Sequence, residues 1–154
     1  MGAIERFTEA AQRLGVDPQI RRFPEGTKTA ADAAQAIGCD VAQIVKSLVF
    51  VVDDQPVIAL VGGADRLDEG KLAHAAGGTA ARRANAEEVR SATGYAVGGV
   101  PPFAHATSLQ CYVDAALLAH DVVWAAAGTP THVFASKPHA LAAAAGAKVV
   151  DIRA

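Results

Sequence analysis

The sequence predicts an α+β fold: one domain spanning residues 1–154, built around a mixed sheet flanked by helices. Three observations carry that expectation. Apolar runs rich in β-branched residues occur at 48–52 and 57–61, and their lack of alternation marks strands covered on both faces. Helix start and stop signals recur between the strand candidates, as in Thr29 with Gly38, Asn85 with Gly94, and Pro138 with Gly146. Strands and helices are interspersed without a clean βαβ rhythm, which argues against a doubly wound parallel sheet. A chain of 154 residues fits one domain, and its 51% apolar content allows a substantial core. Aromatics are only 5%, so Ala, Val, Leu and Ile must build that core.

The elements follow in order. Ile4, Phe7, Ala11 and Leu14 recur at helical spacing, and Gly15 supplies the stop. Residues 20–23 (IRRF) read as a short strand ahead of Pro24. Thr29 followed by Asp32 resembles a capping box opening a helix through Ile37, closed by Gly38. Asp40 caps one more short helical turn over 41–45. The runs 48–52 and 57–61 then form an antiparallel hairpin, because Asp53-Asp54-Gln55-Pro56 between them is turn chemistry. Gly62-Gly63 ends the second strand, and Asp68 caps a helix that contains Leu72 and stops at Gly77-Gly78. Residues 79–84 are a weak strand candidate, and Asn85 with Glu88 caps a helix ending at Gly94. After the loop GYAVGGVPPFAHA (94–106) come apolar strands near 110–114, 121–126 and 132–135. Pro138 starts a last helix, Gly146 ends it, and KVVDI (148–152) is a terminal strand.

A formal net charge of −2 excludes a broad basic face for long duplexes, so no DNA partner is expected. Cys39 and Cys111 are the only cysteines and form no CxxC, which fits a reducing compartment. The amphipathic start MGAIERFTEA is no signal peptide, and Arg6 stands where a myristoylation signal wants Ser or Thr. No apolar stretch reaches the roughly 18 uncharged residues of a membrane span. A soluble, cytoplasmic protein without membrane contact is expected.

GxSxG, Walker, HExxH and GxGxxG patterns are missing from the sequence. The histidines at 74, 105, 120, 132 and 139 lack metal-ligand spacing, so neither metal nor cofactor is expected. Both cysteines read as structural rather than nucleophilic, and Asp114 reads as a cap on the turn that follows it in preference to a catalytic carboxylate. Two features remain. Lys46 opens the apolar stretch VKSLVFVV, either as a strand-end lysine snorkelling to water or as a fixed ammonium facing a phosphate or oxyanion. Gly98-Gly99-Val100-Pro101-Pro102 is either a plain turn or a stiff cradle whose amides approach a carbonyl or carboxylate oxygen.

Together with VKSLVFVVDDQPVIALVGGADRLDEGKLA, the segments TGYAVGGVPPF, VDAALL and VWAAAG resemble the YbaK/EbsC family. That family is related to the editing domain inserted in bacterial prolyl-tRNA synthetases. The resemblance runs in order from about residue 25 to 145. It implies a barrel-like mixed sheet and a deacylase that hydrolyses mischarged aminoacyl-tRNA. Lys46 matches the family's strand-opening lysine, associated with the substrate's 3′ end and with activity. Gly98 and Pro102 match the ends of its GxxxP loop, whose amides, with Gly99, Val100 and Pro101 between them, hold the aminoacyl group. Gly128 matches a glycine beside the pocket, and Asp65, Arg66 and Lys71 fall in a segment suited equally to packing and to substrate contact.

The sequence departs from the family pattern at Ala104, where many members have Gly, and over 128–134, which includes His132. The implied partner is the acceptor end of a mischarged tRNA, with Cys- or Ala-tRNA(Pro) as substrate. Help is expected from prolyl-tRNA synthetase or another tRNA-binding protein. A non-catalytic module binding an aminoacyl group or nucleotide in the same pocket is the alternative.

Overall fold

The computed structural model describes residues 2–23 and 29–154; Pro24, expected to follow the first strand, lies outside them. Among the described residues are five α-helices: α1 (Ala3–Arg13), α2 (Ala30–Ile37), α3 (Glu69–Ala75), α4 (Ala86–Thr93) and α5 (Pro138–Ala145). Eight strands accompany them: β1 (Ile20–Arg22), β2 (Val45–Val52), β3 (Gln55–Gly62), β4 (Ala81–Arg83), β5 (Gln110–Asp114), β6 (Val123–Ala126), β7 (His132–Ser136) and β8 (Lys148–Val150). Local chemistry explains most boundaries. Thr29 accepts a hydrogen bond from the Asp32 amide and Asp68 from that of Lys71, while Asn85 and Glu88 form a complete capping box. The β2–β3 hairpin is tighter than the sequence suggests. Asp53 and Asp54 both have positive φ (46° and 68°), the twist a two-residue turn demands, so β3 begins at Gln55.

The strands form two sheets: β1-β7-β6, which is antiparallel, and β4-β2-β3-β5-β8, in which β3, β5 and β8 run parallel. The expected barrel-like closure does not occur. Residues 41–43 form a 3₁₀ turn just before β2, and among the described residues one parallel bridge, Ile44 to Trp124, joins the two sheets.

Strand alternation sorts the apolar residues. Val45, Val49 and Val51 of β2 face a core shared with α1, α4, α5, β6 and β7, whereas Phe50 and Val52 face a second core against Leu72 of α3 and Ile152. Three rings, Phe7, Phe103 and Phe134, lie 5.2–5.7 Å apart and tie α1, the loop after α4 and β7 together.

Asp114 is 1% exposed and caps the turn after β5, accepting from the Ala116 amide at 3.0 Å, as its sequence context predicts. Its other oxygen accepts from the Ile152 amide at 3.0 Å, pinning the C-terminal segment to the sheet. Asp114→Ala strands two amides, each costing about 1–3 kcal/mol when buried without a partner. Scanning calorimetry is expected to show a midpoint lower by roughly 4–24 °C. A midpoint within about 1 °C of wild type would show that the amides find other partners.

Candidate functional site

β4 covers only Phe50–Val52 of β2, and the Ala84 amide adds a bond to the Val49 carbonyl. Ahead of that point the same margin of β2 has no ladder partner among the described residues until Ile44 bridges Trp124. The gap opens into a cavity of about 350 Å³. Residues of β2 from Val45 to Val49 border it, with α2 contributing Ala30 and Ala33, and Arg83, Trp124 and Val133 closing other sides.

Lys46, Gly98 and Val100 all border this cavity, so the strand lysine and the glycine-rich loop share one space. The lysine is not a strand-end residue. β2 begins at Val45, and Lys46 pairs with Val61 inside the ladder. Its ammonium donates to the main-chain carbonyl of Asp65, so its direct protein partner is this carbonyl rather than the loop. Burial pushes its pKa below the ordinary lysine range. The Asp65 carboxylate opposes that shift, and the positive charges of Arg83 and Arg66 add to it.

The loop is held from behind. Gly98 has φ +90° and Gly128 φ +112°, a region that L side chains rarely adopt. A Cβ on Gly99 would stand 2.8 Å from the Thr129 Cα and 2.9 Å from the Gly128 carbonyl oxygen, so the two backbones pack directly. Gly99, Pro101, Pro102 and Gly128 do not border the cavity; both prolines are buried and stiffen the loop beneath it. At one end, buried Thr93 accepts from the Tyr95 amide at 3.0 Å. At the other, His105 Nε2 lies 2.7 Å from the Pro101 carbonyl; a carbonyl only accepts, so this nitrogen carries the proton. Burial pushes the His105 pKa down, and the bond to Pro101 partly offsets the shift.

The Gly99 amide donates to the Ala96 carbonyl, whereas those of Gly98 and Val100 have no partner among the described residues. Two amide donors and one ammonium are therefore available around a mostly apolar space. Such a set can stabilise negative charge developing on an oxygen.

Other sequence candidates have structural surroundings. His132 sits against Thr129, its Nδ1 2.6 Å from the hydroxyl, and lies off the cavity. Lys71 contacts Asp151 at 3.3 Å and donates to the Arg153 carbonyl, tying α3 to the C-terminal segment. Burial pushes the Cys111 thiol up to about 12 and that of Cys39 upward too, so neither is poised as a thiolate. Ala104 has φ +68°, which explains why the resembled family often places glycine there. Among the described residues no group of three His, Cys, Asp or Glu could hold a metal, and no helix is long and apolar enough to cross a membrane.

Sequence reasoning does not single out Ser47 or Trp124. Ser47 borders the cavity, and its hydroxyl oxygen is buried without a hydrogen-bond partner among the described residues. Trp124, the one tryptophan of the chain, borders it too, with the Arg21 guanidinium 5.4 Å from its ring centroid. Alternation carries a signal for Ser47, which shares the inward face of β2 with Val45 and Val49.

Comparison with known proteins places this geometry among relatives. The family model for the aminoacyl-tRNA editing domain matches residues 24–144. The uncharacterized protein YwhH of Bacillus subtilis is 30% identical over 134 residues, covering 86% of this chain and 85% of that protein. A proline--tRNA ligase of Shouchella clausii is 42% identical over 82 residues, which are 53% of this chain but only 14% of the ligase. A crystal structure of a proposed trans-editing enzyme for prolyl tRNA synthetase superposes with a TM-score of 0.94 at 44% identity, covering 100% of this chain and 98% of that one.

Proposed function

The chain belongs to the family of aminoacyl-tRNA editing domains, and from that premise we propose that it is a trans-editing deacylase acting on mischarged tRNA. Its proposed substrates are Cys- and Ala-tRNA(Pro), in keeping with its likeness to proline--tRNA ligases. One observation carries the reading: Lys46 and the unpartnered amides of Gly98 and Val100 border a single cavity of about 350 Å³.

The aminoacyl ester is already activated. Water adds to its carbonyl carbon, the bond to the ribose oxygen breaks, and that oxygen takes up a proton as the free amino acid departs. Positioning and oxyanion stabilisation suffice for such a step. In this reading the Gly98 and Val100 amides donate to the carbonyl oxygen as its charge grows. Lys46 supplies a fixed positive charge beside the terminal nucleotide. Gly99, Pro101, Pro102 and Gly128 keep the loop in place.

A net charge of −2 favours a weak grip on bare tRNA. Arg82 is engaged by Glu88 through two bonds of 2.8 Å, and Arg83 borders the cavity. Prolyl-tRNA synthetase or another tRNA-binding protein is the expected source of further affinity.

The test is multiple-turnover hydrolysis of mischarged tRNA(Pro) by the purified protein. Release of amino acid well beyond one equivalent, and above the protein-free rate, is the expected result. Saturable binding without turnover would favour the alternative of a non-catalytic aminoacyl or nucleotide receptor.

A further inference from the structure

We propose that Ser47 sets the amino-acid preference of this cavity: its hydroxyl pairs with a heteroatom on the substrate's Cβ. Side chains bearing a hydroxyl or thiol are then taken ahead of a bare methyl. This rests on the deacylase reading and narrows its substrate class to serine-like and cysteine-like groups.

The inference starts from the unpartnered hydroxyl. A buried serine hydroxyl normally pairs with protein or an ordered water; one with no protein partner is uncommon and marks a place for a water or ligand, or a strained site. Ser47 lies across from Leu60 and between Val45 and Val49 on the same face, an otherwise apolar wall. It also borders the cavity, and rotation about one bond between staggered wells re-aims the hydroxyl.

Three other polar side chains around the cavity have contacts of their own. Thr29 caps α2, Lys46 donates to Asp65, and Arg83 lies over the Phe50 ring. A cavity bordered by Lys46 and Arg83 is a poor place for the substrate's own α-ammonium, because like charges repel. The group that reaches Ser47 is therefore the neutral side chain.

A buried hydroxyl discriminates by what it loses. A substrate with a matching heteroatom completes its hydrogen bond; a methyl leaves it unpaired. One neutral hydrogen bond translates into a preference of roughly 3–10-fold.

The experiment compares kcat/KM on tRNA(Pro) charged with serine, cysteine or alanine, for wild type, Ser47→Ala and Ser47→Thr. Wild type is expected to favour seryl and cysteinyl over alanyl substrate by roughly 3–10-fold. Ser47→Ala should bring the first two down to the alanyl level, and Ser47→Thr, which keeps the hydroxyl, should restore the ranking. Because the orphan group is removed, Ser47→Ala should melt no lower than wild type. Equal rates on all three substrates in wild type, or an equal loss on all three in Ser47→Ala, would overturn the proposal while leaving the deacylase reading intact.

A complete lack of hydrolysis would count against that reading instead. In that event, binding of amide-linked seryl- and alanyl-3′-amino-3′-deoxyadenosine, followed by quenching of the single tryptophan, still ranks the two side chains. Tighter seryl binding that Ser47→Ala abolishes upholds the proposal, and equal binding refutes it.

Discussion

Lys46→Ala is expected to lower multiple-turnover deacylation of mischarged tRNA(Pro) by about 10²-fold, the scale of loss when the reacting ester is no longer held in place through its terminal nucleotide. The fold should tolerate the change. Lys46 is half-buried with a depressed pKa, so its removal relieves a desolvation cost while losing one hydrogen bond to the Asp65 carbonyl. These opposing terms leave the melting midpoint near wild type. Lys46→Arg should not restore activity, because a planar fork does not reproduce a point charge on a flexible stem. Rates and melting are measured on the same preparations. A fully active Lys46→Ala protein would remove the ammonium from the mechanism.

Gly99→Ala is expected to be nearly as damaging by a different route. The added methyl would run into one backbone segment, meeting the Thr129 Cα at 2.8 Å, the Gly128 oxygen at 2.9 Å and the Gly128 carbon at 3.0 Å. Main-chain atoms cannot swing aside as a side chain does, so the loop must move off the β6–β7 turn. A shift of about 1 Å at a catalytic donor costs on the order of 10²-fold in rate, and overpacking costs about 1–3 kcal/mol in stability. Gly98→Ala is the informative contrast. There a Cβ meets nothing closer than the Pro130 Cγ at 3.7 Å, and the penalty is backbone strain at φ +90° rather than collision. Denaturant melts and kcat/KM for both variants separate the two causes. Wild-type behaviour of Gly99→Ala would mean that this close packing does not set the loop's position.

Much of the architecture was legible because it is written in local chemistry. Thr29, Asp68 and Asn85 announce helix starts by offering side-chain acceptors to free amides, and Gly38, Gly94 and Gly146 announce ends by taking positive φ. The pairing of β1 with β7 was not legible, since it joins residues some 110 positions apart and depends on how layers pack. Division into two sheets escaped for the same reason: nothing near residues 41–45 tells how far β2 will stay from β6.

At the site, Lys46 and the 98–102 loop stood out through their resemblance to a family. Their convergence on one cavity needed the fold. The resemblance could not say which loop amides remain available, because the bond from Gly99 to Ala96 forms only in the folded turn. Ser47 left a faint trace as a polar residue at an inward position of a valine-rich strand, but a buried orphan hydroxyl can be seen only once its neighbours are placed.

The unpaired margin of β2 has one further consequence. Bare strand edges solicit strands from other molecules and so seed polymerisation, a hazard that proteins commonly blunt with charge or cover. Here the vacant stretch is only a few residues long and walled by α2 and Trp124, with Lys46 and Arg83 at hand. A cavity of about 350 Å³ suits a small guest better than a whole strand of a neighbouring polypeptide. The same walls that admit the guest guard the protein against sticking to itself.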